Sequence, residues 1–145
     1  MSDESALFVS SGKLAFKLAF VDKTSKTDNA IVSLGPIAWS PDSRWLALER
    51  FAGYYASDAG GVDFLLYDST TSKVSTPDVV GPIAKKIGRH CVLGYISFDG
   101  FDARNRLILR VADWEEPDYR ETHCIEGTAE WVFNPVTGEV QPSAR

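Results

Sequence analysis

Cysteine is scarce in this sequence, since Cys91 and Cys124 are the only two among 145 residues. Two cysteines are too few for a disulfide scaffold and fit a reducing compartment, although a single bridge between them stays open. No apolar run approaches the length of a membrane-spanning helix, and the first five residues are acidic where a secretory signal is basic. We therefore expect a cytoplasmic protein with no membrane partner.

Positive charge is also in short supply. Lys and Arg number 15 against 20 Asp and Glu, so the formal net charge is −5 and the pI is near 5.0. This field repels phosphate backbones, so we expect no nucleic-acid ligand. A cationic protein partner suits the sign of the charge, and so does an acidic surface kept only for solubility.

Helix signals are weak, and the apolar residues alternate or form short runs between Gly, Pro, Asp and Ser. Aromatic residues reach 12%, which favours strands. Residues 14–21 fit either a buried strand or a short helix, and we favour the strand. Residues 37–39 and 45–48 flank a turn in which Pro41 presets φ and Asp42 accepts backbone hydrogen bonds, which predicts a hairpin.

Two stretches of the sequence repeat each other. Residues 67–74 recur without a gap as residues 133–140, which is 66 positions later, and each copy enters its turn through an aromatic residue followed by Asp or Asn. Residues 34–39 and 46–48 recur as 93–98 and 107–109. Insertions at 99–106, in the second hairpin turn, and around 113–121 account for the changing offset. Internal repetition of this kind indicates a repeat architecture.

The residues that carry a family resemblance are Trp-Ser-Pro-Asp-Ser-Arg at 39–44, Leu-Leu-Tyr-Asp at 65–68 and Thr-Ser-Lys at 71–73. This pattern resembles the blade repeat of TolB-type and WD-like β-propellers, closely over 37–74 and loosely over 95–140. Ser43 and Ser72 stand where that family usually has Gly. The resemblance implies two four-stranded blades, whereas a closed propeller needs at least about four.

The predicted fold is all-β, with two blade-like antiparallel sheets that form an incomplete propeller or a sandwich of about ten strands. We expect a single domain over 1–145, with N-terminal strands at 6–22, repeat 1 at about 30–79 and repeat 2 at about 90–142. An unclosed pair of blades leaves apolar faces and strand edges to be covered. The N-terminal strands, packing of the two sheets, a second copy of the chain as a homodimer, or a foreign protein are the candidates.

The two histidines each precede a cysteine, at His90-Cys91 and His123-Cys124. Adjacent strand residues point to opposite faces, and the usual two-to-four-residue ligand spacing is missing, so we expect no metal site. We expect no cofactor and no catalytic residue either. The enzymatic alternative is a small hydrolase or a ribonuclease that uses His90 and His123 as its acid and base.

Two candidate loops combine acidic and aromatic residues. The first spans 51–61, and the second spans 113–121 with five acids against one base. Such residues are common on binding surfaces, and acids there steer a cationic partner. A solvated loop with a buried Trp114 is the simpler alternative. The predicted partner-binding residues are Tyr54, Tyr55, Asp58, Asp113, Trp114, Glu115, Glu116, Asp118 and Tyr119.

These features together favour a non-catalytic protein-binding domain. Its sharpest form is a cytosolic immunity or inhibitor protein that binds and neutralises a bacterial toxin, with a cationic toxin domain as the candidate partner. The second alternative, besides the enzyme, is a propeller-like structural subunit of a larger assembly.

Overall fold

The computed structural model describes residues 4–10, 16–23, 30–54, 60–87, 93–113 and 128–143. These residues form mostly strands and one short helix, in this order: β1 Glu4–Ser10, β2 Phe16–Lys23, β3 Ala30–Trp39, β4 Trp45–Tyr54, β5 Gly60–Asp68, β6 Lys73–Ser75, α1 Val80–Ile87, β7 Leu93–Phe101, β8 Leu107–Asp113, β9 Thr128–Phe133 and β10 Val140–Pro142.

Two four-stranded antiparallel sheets dominate the structure and confirm the predicted all-β fold class. In each of them the strands pair in chain order, β3-β4-β5-β6 in one sheet and β7-β8-β9-β10 in the other. Strands β1 and β2 pair with each other as a separate two-stranded sheet. Pairing of consecutive strands needs only short connections, which is why the Gly, Pro, Asp and Ser clusters fall between the strands.

The chain divides into two compact units. Unit 1 comprises residues 1–38 and 44–76 and holds the first sheet, and unit 2 comprises residues 39–43 and 77–145 and holds the second. The sheets share their pairing register where the sequence repeats. Tyr67 lies opposite Val74 in β5-β6, and Phe133 lies opposite Val140 in β9-β10. Both pairs therefore occupy the same ladder position, 66 residues apart.

The predicted insertion in the second hairpin lies elsewhere than the sequence suggested. The turn itself was expected to be longer, over 99–106, but β7 continues to Phe101 and a register shift falls between Phe98 and Phe101. Gly100 has φ 92, a conformation that glycine adopts without strain. The extra residues are thus absorbed as a β-bulge in the strand, because a bulge keeps both the turn and the apolar face in place.

The centre of the first sheet is buried on both faces. Leu46, Leu48, Leu65 and Tyr67 form one apolar cluster, against which Leu34 and Val74 pack. The residues that alternate with them, Trp45, Ala47, Phe64 and Leu66, are also buried. This explains why the two strands read as continuous apolar runs instead of an alternating pattern.

The second sheet, in contrast, buries one face far more completely than the other. Its fully apolar face carries Leu107, Leu109, Val111, Trp131, Phe133 and Val140. Helix α1 contacts β10, and Ile83 on the helix is completely buried. The helix begins after Asp78, whose Oδ1 accepts the Gly81 amide hydrogen at 3.0 Å and so satisfies one of the amides that a helix start leaves unpaired.

Candidate functional site

The sequence-predicted loops both join the second strand of a four-stranded sheet to the third. Tyr54 is the last residue of β4 and Asp113 the last residue of β8. The other predicted partner-binding residues lie outside the described residues: Tyr55, Asp58, Trp114, Glu115, Glu116, Asp118 and Tyr119. The geometry of the acidic and aromatic loop surface therefore stays a prediction.

The histidine and cysteine pairs also fall outside the described residues, so neither the acid-base alternative nor a disulfide is tested. Within the described part of the chain, no three His, Cys, Asp or Glu side chains cluster as metal ligands would. Among the same residues, no helix has the length and apolarity to cross a membrane.

A half-buried ion pair closes the turn end of the first sheet. Arg44 donates from Nε to Asp68 Oδ1 and from Nη2 to Asp68 Oδ2, both at 3.2 Å. The amide and hydroxyl of Thr70 donate to the same Oδ1 at 2.9 and 2.7 Å. These bonds, led by the one from Arg44, outweigh the cost of burial and lower the pKa of Asp68 to about 2. Asp68 is therefore a structural group that is charged at neutral pH.

The corresponding turn of the second sheet uses the same local bond without the charge. Val136 donates its amide hydrogen to Asn134 Oδ1 at 2.9 Å, as Thr70 does to Asp68. Each side chain thus forms an Asx turn that directs the chain into the fourth strand. Ser72 and Gly138 follow at equivalent positions with φ 55 and φ 74. Ser72 therefore occupies a left-handed position that glycine adopts with less strain.

Asp102 organises the hairpin turn of the second sheet. Its Oδ1 accepts the amide hydrogens of Arg104 and Arg106, both at 2.9 Å, and its Oδ2 accepts Arg106 Nε at 2.8 Å. Arg106 Nη2 lies 2.7 Å from the same Oδ2 as an ion pair. Burial raises the pKa of Asp102, but the bonds from Arg106 and Arg104 outweigh it and the pKa is lowered. The Asp102 carboxylate therefore stays ionised and neutralises Arg106.

A second turn belongs to the same compact unit. Asp42 donates its amide hydrogen to Asn105 Oδ1 at 2.9 Å. Asn105 has φ 60, and Ser43, at the matching turn position, also has φ 60. Both turns close with an amide three residues on, Ser43 to the Ser40 carbonyl and Asn105 to the Asp102 carbonyl. The Ser-Pro-Asp turn is thus replaced in the second hairpin by residues that adopt the same shape.

An open groove of about 330 Å³ lies on the second sheet, on the face opposite its apolar core. It extends from the hairpin turn along β8 and β9. Its lining residues are Asp102, Arg104, Arg106, Ile108, Glu130, Val132 and Ser143. Ile108 lies opposite Val132 in the ladder and gives the groove an apolar floor, while charged side chains surround it.

The charges around the groove are paired with one exception. Arg106 is neutralised by Asp102, and Arg110 Nη2 lies 3.8 Å from Glu130 Oε2 while its Nε donates to Asp99. The bond from Asp99 raises the pKa of Arg110. Arg104 is exposed, and no described residue forms an ion pair with its guanidinium. Two acids and two bases line the groove, so its lining is neutral overall.

Our sequence reasoning missed this groove, although a signal for it is present. In the run Arg106-Leu107-Ile108-Leu109-Arg110 the leucines alternate with the other three residues. A period of two assigns the leucines to one face and Arg106, Ile108 and Arg110 to the other. Pairing of that second face with Glu130 and Val132 depends on the register of β9, which the sequence alone does not provide.

Comparison of the chain with protein-family models, with curated proteins and with solved structures finds no match in any of the three.

Proposed function

We propose that this chain is a non-catalytic protein-binding domain, and in its sharpest form a cytosolic immunity or inhibitor protein that binds and neutralises a cationic bacterial toxin. The observation that carries the proposal is the position of the acidic and aromatic residues in the chain. Both candidate loops join the second to the third strand of a four-stranded sheet whose register is the same.

The acidic charge of the second loop is the reason why we propose a cationic partner. Residues 113–121 carry five acids and one base, in a chain whose formal net charge is −5. Acidic groups in a loop beside Trp and Tyr accelerate association with a cationic surface, while the aromatic side chains supply buried contact area. The described aspartates with shifted pKa values, Asp68 and Asp102, are held in structural ion pairs and remain charged at neutral pH. Because both aspartates are bound within turns of the two sheets, we assign them to the scaffold and not to the binding surface.

The test compares two double charge reversals that change the net charge equally. The variant Glu115→Lys/Glu116→Lys alters the loop, and Glu49→Lys/Glu139→Lys alters two exposed acids on described strand and turn positions. A pull-down from the native cell identifies the partner, and its affinity is then measured at low and at high salt. We expect the loop variant to bind at least about tenfold more weakly, and the control variant to lose much less.

Equal losses in the two double variants would show that only net charge matters and would contradict a loop interface. A monomer that captures no partner from its native cell would remove the proposal itself. The enzymatic alternative is tested by His90→Ala/His123→Ala, since any activity that survives both substitutions does not depend on them. A monomeric mass in solution would tell against a propeller-like subunit that closes its sheets with other chains.

A further inference from the structure

The bulge in β7 contains an Asp-Gly pair, and no other aspartate or asparagine in the sequence is followed by glycine. We propose that Asp99 is a site of spontaneous isomerisation to isoaspartate, and that its ion pair with Arg110 slows this reaction in the folded chain. This proposal goes beyond the proposed function, because it concerns a covalent change in the backbone of β7 that requires no partner.

The reaction uses only the two residues of the bulge and water. The backbone nitrogen of Gly100 attacks the side-chain carboxyl carbon of Asp99, and a C–N bond forms. One carboxyl oxygen leaves as water with the amide hydrogen and the carboxyl proton, so the product is a five-membered succinimide ring. Water then adds to the main-chain carbonyl carbon of Asp99 and breaks its bond to the Gly100 nitrogen. The backbone now passes through the former side chain, and nothing is oxidised or reduced.

The position of the pair within the bulge favours the attack. Glycine has no Cβ to shield its nitrogen or to restrict its backbone, and Gly100 has φ 92, outside the range that other residues readily adopt. The register of β7 with β8 shifts between Phe98 and Phe101, on either side of the pair. A bulge disrupts the ladder locally, so the pair lies where the regular pairing of β7 is interrupted.

Exposure distinguishes Asp99 from the two aspartates that organise turns. The exposed fraction of the side chain is 39% for Asp99, against 12% for Asp68 and 22% for Asp102. Asp68 and Asp102 also accept bonds from backbone amides of their own turns. Among the described residues, the bond to the Asp99 carboxylate comes from Arg110 alone. Water therefore reaches Asp99 more freely, and fewer bonds hold its carboxylate in place.

Arg110 opposes the reaction through that bond. Its Nε donates to Asp99 Oδ2, and this pairing raises the pKa of Arg110. A carboxyl oxygen must carry a proton to leave as water, whereas a hydrogen bond from a cation stabilises the oxygen as an anion. Both side chains of the pair are more than a third exposed, and such pairs are weak. The protection is therefore partial, and isomerisation proceeds slowly in the folded chain.

The test follows isoaspartate at Asp99 in the full chain during several weeks at neutral pH. Endoproteinase Asp-N cleaves before aspartate and not before isoaspartate, so peptide maps by mass spectrometry separate the two forms. We expect isoaspartate to accumulate at Asp99 faster than at Asp68 or Asp102. The same chain unfolded in urea is the positive control. Isoaspartate that forms at Asp99 in urea but not in the folded chain would overturn the proposal.

Variants separate the bond of Arg110 from the fold. Arg110→Gln should accelerate isomerisation of the folded chain by up to about fivefold, the upper range for an exposed ion pair. Glu130→Gln removes the other acid near Arg110, whose Nη2 lies 3.8 Å from Glu130 Oε2, and should not accelerate it. In urea, Arg110→Gln and the parent chain should react equally. Equal rates in the folded state would refute protection by Arg110, and so would equal acceleration by Glu130→Gln, which would indicate a loosened sheet.

A change of leaving group tests the geometry of the bulge independently of Arg110. Asp99→Asn passes through the same succinimide but loses ammonia in place of water, and its neutral amide does not need the proton that a carboxylate lacks. We expect this variant to form isoaspartate faster than the parent chain in the folded state. If Asp99→Asn converts in urea and not when folded, the bulge does not permit ring closure and the proposal is wrong.

Discussion

At the scale of single residues, the described acids and bases hold turns in place. Asp68 and Asp102 each gather several donors at the start of a turn, and in both cases the hydrogen bonds to the ionised form exceed the cost of burial. The bonds come mainly from neighbours within four residues in sequence, apart from Arg44. Such local bonding specifies where a strand ends without requiring the rest of the fold.

The pKa of Asp68 predicts how stability depends on pH. Its folded pKa is about 2 against an ordinary value of 3.8, so its contribution is complete above about 3.8 and is lost as the pH falls through 2. We expect Asp68→Asn to lower the free energy of unfolding by about 1 to 2 kcal/mol at pH 7. The measurement is urea denaturation of both proteins between pH 7 and pH 2.

The difference between the parent chain and Asp68→Asn should shrink as the pH approaches 2. Arg44→Gln should reduce the same pH dependence, because it removes the donor that contributes most to the lowered pKa. A stability difference that stays constant down to pH 2 would show that Asp68 does not titrate as the structure requires.

The equivalent turn positions 72 and 138 both have a positive φ, so glycine is expected to be the more stable residue at each of them. Gly138 has φ 74, and a Cβ added there would meet no atom within 4 Å, so Gly138→Ala isolates the backbone cost of the left-handed conformation. We expect that substitution to destabilise the chain by about 1 kcal/mol. Ser72, with φ 55, already bears that cost, so Ser72→Gly should stabilise the chain by about 0.5 kcal/mol.

Thermal unfolding measured by circular dichroism checks both substitutions. Ser69→Gly, in the same turn but without a positive φ, serves as the control and should not stabilise the chain. If Gly138→Ala leaves the unfolding temperature unchanged, the left-handed turn is not required for the fourth strand to pair.

At the scale of elements, the short helix protects an edge of the second sheet. Helix α1 contacts β10, and Lys86 near its end bonds to the outward-facing Val140 carbonyl and lies 5.8 Å from the centre of the Trp131 ring. Pro142 removes the next outward amide. One lysine and one proline thus reduce the free bonding groups of this edge, which is a common way to prevent pairing between molecules.

Removing both groups should promote self-association. We expect Lys86→Ala/Pro142→Ala to show a higher average mass than the parent chain at equal concentration in sedimentation velocity. Lys86→Ala alone should also cost about 0.5 to 1 kcal/mol through the lost contact with Trp131. Lys85→Ala, one residue away and outside this contact, is the control. An unchanged mass in the double variant would show that β10 needs no such protection.

Some elements of the fold are predicted by local sequence patterns, and others are not. The hairpin around Ser40-Pro41-Asp42, the strand over most of 14–21 and the repeated ladder of residues 67–74 follow from turn chemistry and apolar spacing, which act over a few residues. The helix at Val80–Ile87 and the bulge at Gly100 did not emerge from those patterns. An eight-residue helix has little intrinsic stability and forms here through the burial of Ile83 and its contacts with β10.

At the scale of the whole molecule, the net charge of the chain bears on the kind of partner that it attracts. A formal net charge of −5 repels a phosphate backbone and suits the cationic partner that we propose, and that long-range field is independent of how the strands pair.

By itself, the sequence determined the fold class, the first hairpin turn at 40–44 and the repeat, because each of these depends on neighbouring residues and on alternation along a strand. Only the tertiary structure decided which charges on different strands lie close enough to pair. Arg106 with Asp102 is a local pair, but the row of Ile108 with Val132 and Arg110 with Glu130 exists only once β9 is in register with β8. Register is a cooperative property of the whole sheet, so the groove appears only in the folded chain.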